Sequence, residues 1–239
     1  MDALILAAGQ GSRLKRGCPK CLIEIGGRPL IHRQLDALYG AGVDRVIVVA
    51  GYQIGRVRRA LPSDAVIVPN RLYADTNSLY SFWLARGEVG NDVLVLNSDV
   101  LFPSLLADLL ARWRGSALAY DSRSGEDEEH MKVAVRRGAL EAMSKSLPPA
   151  RTAGENVGSI RLSGAATRAA FDAAHRLVAA GRSRDWLASA IERAARAHRL
   201  QCLDVAGLPW VEIDFPEDLA YARACVAPAI DRLESAVAA

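Results

Sequence analysis

Along this chain, unbroken apolar runs of strand length alternate with stretches in which apolar residues recur at helical spacing. Ala3 to Ala8 is such a run, and it stops at Gly9; continuous runs of this length suit strands buried on both faces. Ile23 to Ile25 reads as a short extended piece closed by Gly26 and Gly27. Pro29 then opens a helix to about Tyr39, with Leu30, Ile31, Gln34, Leu35 and Leu38 on one stripe and Gly40 and Gly42 ending it. Arg45 to Ala50 is a β-branched run fit for a central parallel strand, and Ile54 to Leu61 a basic-faced helix. Ala65 to Val68 forms a third strand, Ser78 to Ala85 a helix, and Asp92 to Asn97 a fourth strand. This β-α-β-α-β-α-β order with short connections predicts an α/β fold, a Rossmann-like, mostly parallel sheet with helices on both faces. Ligands of such sheets gather at the C-terminal strand ends, where Gly9, Gly51, Asn70 and Asp99 all fall.

From Ser116 to about Leu162 the pattern changes. Short alternating segments at 118–120, 132–135, 140–143 and 159–162 are separated by polar loops, one of them the acidic run Gly125 to Glu129, read as solvated. They predict a meandering antiparallel extension that covers one side of the cleft, so that residues 116–165 form a β insertion in a single domain spanning 1–239. Thr167 to Ala180 and Asp185 to Ala197 read as amphipathic helices joined at Gly181. Trp210 to Ile213 is a late strand, and Pro216 starts a helix through about Val226. The tail after Pro228 predicts a short amphipathic helix, for packing or a homodimer contact.

Composition narrows the class. With 239 residues, 51% of them apolar, the chain can bury a sizeable core. A formal charge of +3 with dispersed basic residues and no aromatic-rich basic segment argues against nucleic acid as a partner. No apolar run reaches the roughly 18 residues of a membrane span, and the N-terminus lacks the basic and apolar regions of a leader, so a cytoplasmic protein is expected. Cys18 and Cys21 are spaced as C-x-x-C, but Cys202 and Cys225 supply no second close pair for zinc, and free thiols in a reducing compartment are expected.

Chemistry concentrates where the first strand ends. Gly9, Gln10, Gly11 and Ser12 allow a tight turn whose amides converge on an anion, and Arg13, Lys15, Arg16 and Lys20 place positive charge around it. The plainer reading is a strand-to-helix turn with a basic rim. A dinucleotide fingerprint is excluded by the missing third glycine and by Pro19, and a Walker loop by the missing G-K-[ST]. Asp99, just after the fourth strand, is placed to hold magnesium on nucleotide phosphates; the competing role is a helix cap. Glu212 and Asp214 alternate onto one face at another strand end, and Asp99 with Asp214 makes an adequate magnesium site.

Several motifs carry a resemblance: LAAGQGSRL with Pro19-Lys20, VVAGY at 48–52, NRLYADTNSLYSFWLA at 70–85, NSD at 97–99, MKV at 131–133, GENVGSIRLSG at 154–164 and WVEIDFPEDL at 210–219. Together they resemble the phosphocholine and 2-aminoethylphosphonate cytidylyltransferase branch of the nucleotidyltransferase superfamily. Ser98 departs from the glycine usual in N-G-D but stays small, and Phe82-Trp83 departs from a leucine pattern. The resemblance implies a nucleotide-diphospho-sugar transferase type of fold, with 116–165 on the acceptor side. It implies that the backbone from Leu6 through Ala7, Ala8, Gly9 and Gly11 to Ser12 cradles base and phosphates, and that Gly51, Tyr52, Asn70, Thr76, Asn77 and Ser78 line base and ribose. Arg13 would meet the β- and γ-phosphates and Lys20 the α-phosphate, with Asp99 and Asp214 on Mg2+. The implied reaction transfers CMP from CTP to a small phosphorylated or phosphonate headgroup, phosphocholine, 2-aminoethylphosphonate or similar, releasing pyrophosphate. On the acceptor side, Lys132 and Lys145 are candidate anion partners, Glu129 and Glu155 candidates for an ammonium, and Tyr120, Trp210 and Trp83 for boxing a quaternary head. The competing readings are a sugar-1-phosphate or polyol-phosphate nucleotidyltransferase and a non-catalytic nucleotide-binding regulator.

Overall fold

The computed structural model describes residues 1–124 and 127–238. Gly125 and Glu126, at the head of the acidic run, lie outside the described residues. In chain order, β1 (Asp2–Ala7) leads through the hairpin of β2 (Glu24–Ile25) and β3 (Arg28–Pro29) into α1 (Leu30–Gly40). There follow β4 (Arg45–Ala50), α2 (Ile54–Ala60), β5 (Val66–Pro69), α3 (Ser78–Leu84) and β6 (Asp92–Asn97). Next come β7 (Val100–Leu101), α4 (Ser104–Arg112), β8 (Ser116–Asp121), β9 (Lys132–Arg136), β10 (Ala139–Ser144) and β11 (Gly154–Ser163). The chain closes with α5 (Ala165–Ala179), α6 (Ala188–Ala197), β12 (Leu200–Asp204), β13 (Val211–Glu212), α7 (Pro216–Tyr221) and α8 (Ala227–Ala238).

Strands β5, β4, β1 and β6 pair in parallel in that order. The chain runs outward from β1 to β5 on one side and then crosses to β6 on the other, which makes the end of β1 a topological switch point, the usual ligand position in such sheets. Period-two alternation explains why these strands are apolar throughout. Leu4, Ile47, Val49, Val93 and Val95 point to the face covered by α3, α5 and α6. Ala3, Ile5, Val46, Val48, Leu94 and Leu96 point to the face covered by α1 and α4.

Among the described residues the sheet has nine strands, ordered β5-β4-β1-β6-β11-β8-β12-β10-β9. The segment expected as a meander therefore joins the same sheet in a shuffled order: its last strand, β11, lies between β6 and β8, antiparallel to both. Among the elements not expected from the pattern are helix α4 and strand β12. Helix α4 buries only Leu106, Ala107 and Leu110, a stripe too short to stand out. Strand β12 pairs in parallel with β8, a contact that no local pattern encodes. Helix α6 starts at Ala188 rather than Asp185, because the turn before it is tied to the start of α3: Ser183 O and Asp185 O accept from Asn77 and Leu79 N–H, and Leu187 N–H donates to Ser78 Oγ. The C-terminal helix continues through Pro228, where a break was expected. A wide π-turn at Ala222–Val226 precedes it, and such a turn accommodates a ring without an N–H donor.

Candidate functional site

A small ribbon outside the main sheet assembles the acids. Strands β7 and β13 pair antiparallel, Val100 opposite Glu212 and Leu101 opposite Val211, and Ile213 N–H donates to Asp99 O at 2.9 Å. This register sets Asp99 beside Glu212 and Asp214, and one oxygen from each carboxylate lies within 4.8 Å of the others. Such a spread of hard oxygen donors fits one divalent ion.

Opposite them lies the glycine loop. Gly11 adopts φ +60°, and a Cβ there would sit 2.7 Å from Lys20 Cγ, so glycine is what lets the Lys20 stem lie against the turn. Lys20 Nζ donates to Asp99 Oδ2 at 2.8 Å and also to Asp214. Burial alone would lower the Lys20 ammonium, but the two carboxylates outweigh it and hold it above the ordinary lysine range. Arg13 donates to Glu129 Oε2 at 3.0 Å and to Asp214 Oδ2 at 3.3 Å, and its guanidinium lies 5.2 Å from the Phe215 ring centroid. Burial first, then the charges of Asp99 and Asp214, push Glu212 well above the usual carboxylate range.

These groups line one cleft of about 330 Å³. Leu6, Ala7, Ala8, Gly9, Gly11, Ser12, Arg13, Lys20, Asp99 and Asp214 all contribute to it, as do Asn70, Thr76, Asn77 and Ser78. The loop from 70 to 78 is held from within. Asn70 Nδ2 donates to Thr76 Oγ1 at 3.2 Å and Ser81 Oγ at 3.1 Å, and its Oδ1 accepts from Leu72 N–H at 2.9 Å. Asn70 therefore positions this wall through bonds inside the protein. Asn77 caps α3 by accepting from Ser78 N–H.

Other candidates fall elsewhere. Gly51 and Tyr52 do not line the cleft: a Cβ on Gly51 would meet Tyr73 Cβ at 2.5 Å and Ala8 O at 2.9 Å, so this glycine lets Tyr73 approach, and Tyr73 is the wall residue. Lys132 donates to Lys145 O at 2.9 Å and lines no cavity described here, nor does Tyr120. Trp83 donates to His175 Nδ1 and lies under Arg86, away from both cavities. Cys21 is buried, its thiol pushed up to about 12 by burial, which suits packing rather than redox chemistry.

Lys145 does reach the cleft, where it donates to Glu129 Oε2 at 2.9 Å and lies 5.0 Å from the Trp186 ring centroid. Trp186, Met131 and Asn156 extend the same cleft. The sequence reading passed over them, although Asn156 stands within the GENVG motif. A second cavity of about 680 Å³ holds Glu155 and Trp210, and shares Glu129, Glu212 and Asp214 with the first.

A family model described as MobA-like NTP transferase domain matches residues 3–204. Choline-phosphate cytidylyltransferase of Streptococcus pneumoniae is 33% identical over 116 residues, 47% of this chain and 51% of that protein. CMP-5'-(3-aminopropyl)phosphonate synthase of Streptomyces rubellomurinus is 31% identical over 236 residues, 90% of this chain and 37% of that protein. The chain thus spans about half or less of the length of these relatives. Among solved structures, the inositol-1-phosphate CTP transferase from T. maritima matches with a TM-score of 0.80 at 20% identity, covering 98% of this chain and 96% of that one. The Rossmann-like architecture expected from the sequence is the fold the two share. No helix among the described residues is long and apolar enough to cross a membrane.

Proposed function

Because the chain belongs to the family of MobA-like NTP transferase domains, we propose that it is a cytidylyltransferase. It moves CMP from CTP to a small phosphorylated or phosphonate headgroup and releases pyrophosphate. The observation that carries this reading is the convergence of Gly11, Lys20, Asp99 and Asp214 on one cleft at the switch point of the sheet. The relatives named for phosphocholine and aminopropylphosphonate chemistry support the choice of acceptor class.

The amides of the Gly9–Ser12 turn and the cations Arg13 and Lys20 bind the triphosphate, whose oxygens compete for those cations with Asp214, Asp99 and Glu129. Lys20, held charged by its carboxylates, faces the α-phosphate and counters charge that grows there during in-line displacement. The acceptor oxygen is anionic at neutral pH, so no general base is required, and this chain contributes alignment and charge neutralisation. We propose that Mg2+ is required: Asp99, Glu212 and Asp214 would hold it, and it would neutralise charge on the phosphates as pyrophosphate leaves.

The test is pyrophosphate release from CTP, UTP, dTTP and GTP against phosphocholine, aminoalkylphosphonates, sugar phosphates and polyol phosphates, with and without Mg2+. One strong pairing of CTP with an amine-bearing phosphate or phosphonate is expected. Preference for another nucleotide with a sugar phosphate would replace this reading, and absence of turnover with every pair would end it.

A further inference from the structure

We propose that the second cavity reads the amino end of the acceptor, and that Glu155 makes it a pocket for a primary ammonium rather than a quaternary one. This rests on the CMP-transfer reading above.

The argument is one of elimination among the acids that line the cavity. Asp121 is satisfied, accepting from Arg123 N–H at 2.8 Å and from Trp210 Nε1 at 2.8 Å. Asp218 accepts from the N–H groups of Asp214 and Phe215. Asp127 accepts from Glu129 N–H, and Glu129 itself is held by Arg13 and Lys145. Glu212 belongs with Asp99 and Asp214. Glu155 is left. Its side chain is only 7% exposed, and among the described residues no lysine or arginine lies within 4.0 Å of its carboxylate. The nearest charged or titratable partner is His130, with Nδ1 3.2 Å from Glu155 Oε2 but without hydrogen-bond alignment, so that the buried Nδ1 has no partner of its own. Burial lowers the His130 pKa, which weakens the ring as a countercharge.

A buried carboxylate without a cation is costly, and it is a site that a cationic ligand relieves. The class of cation follows from what surrounds it. A primary ammonium carries three N–H donors, which the Glu155 oxygens and a neutral His130 Nδ1 can accept. A quaternary ammonium has no donor and depends on open aromatic faces. Of the aromatic residues here, Phe215 already carries Arg13 against its ring, the Trp210 indole is fixed by its bond to Asp121, and Tyr221 is more than half exposed to solvent. Glu129, Glu212 and Asp214 form the wall common to both cavities, and the Glu155 charge is felt at Glu212. An acceptor with its amine at Glu155 would direct its phosphonate past these shared residues toward Lys20.

The experiment compares kcat/KM for 2-aminoethylphosphonate, phosphocholine and amine-free ethylphosphonate, in the wild type and in Glu155→Gln. The wild type is expected to favour the primary amine over both others by about tenfold or more. In Glu155→Gln the preference for amine over amine-free acceptor falls by about tenfold, mainly through KM. A wild type that favours phosphocholine, or a substitution that slows both acceptors alike, overturns the proposal. Circular dichroism checks the fold of the variant, and His130→Leu serves as the second variant if Glu155→Gln does not fold. Should no acceptor turn over, the transferase reading fails by itself. Calorimetric binding of 2-aminoethylphosphonate then decides the pocket: binding lost in Glu155→Gln supports it, and binding absent from the wild type or unaffected by the substitution overturns it.

Discussion

Two walls of the cleft are built by opposite means. One is a single stretch of chain, Leu6 to Lys20, in which strand, turn and cations follow one another directly. The other is assembled from afar, since Asp99 and Asp214 stand 79 and 194 positions from Lys20 and are brought to it by a ribbon of two-residue strands. The first wall depends on backbone conformation and the second on register. Lesions should differ accordingly: a change in the turn disturbs geometry, whereas a change in the ribbon's acids removes charge.

The largest effect is expected at the assembled wall. Asp214→Ala should lower kcat by about 100-fold or more, the scale of losing one preorganised electrostatic contact, and should abolish any rise in Tm that Mg2+ gives in the presence of CTP. Near wild-type kinetics would remove Asp214 from the site. Next comes Glu155, whose carboxyl burial pushes up to about 7 from 4.5. Its folded pKa is raised, so its contribution to stability is full below about pH 4.5 and is lost as pH climbs through about 7, a change of ~3 kcal/mol. Unfolding curves from pH 4 to 8 should show this loss in the wild type and not in Glu155→Gln; parallel profiles would contradict it.

On the contiguous wall, Gly11→Ala places a Cβ at φ +60° against Lys20. It should cost about 1–2 kcal/mol of stability and shift Lys20, with turnover falling by less than in Asp214→Ala; a greater loss than Asp214→Ala would invert the comparison. Smallest is Ser78→Ala, which removes the acceptor for Leu187 N–H. A loss of about 1 kcal/mol in denaturant unfolding is expected, and none would show that this tie between α3 and the turn before α6 is dispensable.

The contiguous wall was legible because its signals are local. The apolar run ending in glycines, and Pro19-Lys20 a fixed distance on, can be read without knowing what packs where. Gly51 was less legible, for an instructive reason. A glycine at a strand end can admit a ligand or a neighbouring side chain, and only the position of Tyr73 distinguishes them. Lys132 and Tyr120 share that difficulty: their types suit an acceptor site, but the direction of each side chain depends on the pairing of β8 and β9 with β11.

By itself the sequence determined the parallel half of the sheet, the two apolar faces of its strands and the glycine turn with its cations, because alternation, glycine and charge act over a few residues. Tertiary structure alone decided that β11 lies between β6 and β8, that β7 and β13 bring three acids within reach of one ion, and that Glu155 is buried with no lysine or arginine of the described residues beside it. Those outcomes depend on which distant segments pair and in what register, and pairing energy is shared between partners that neither segment encodes alone.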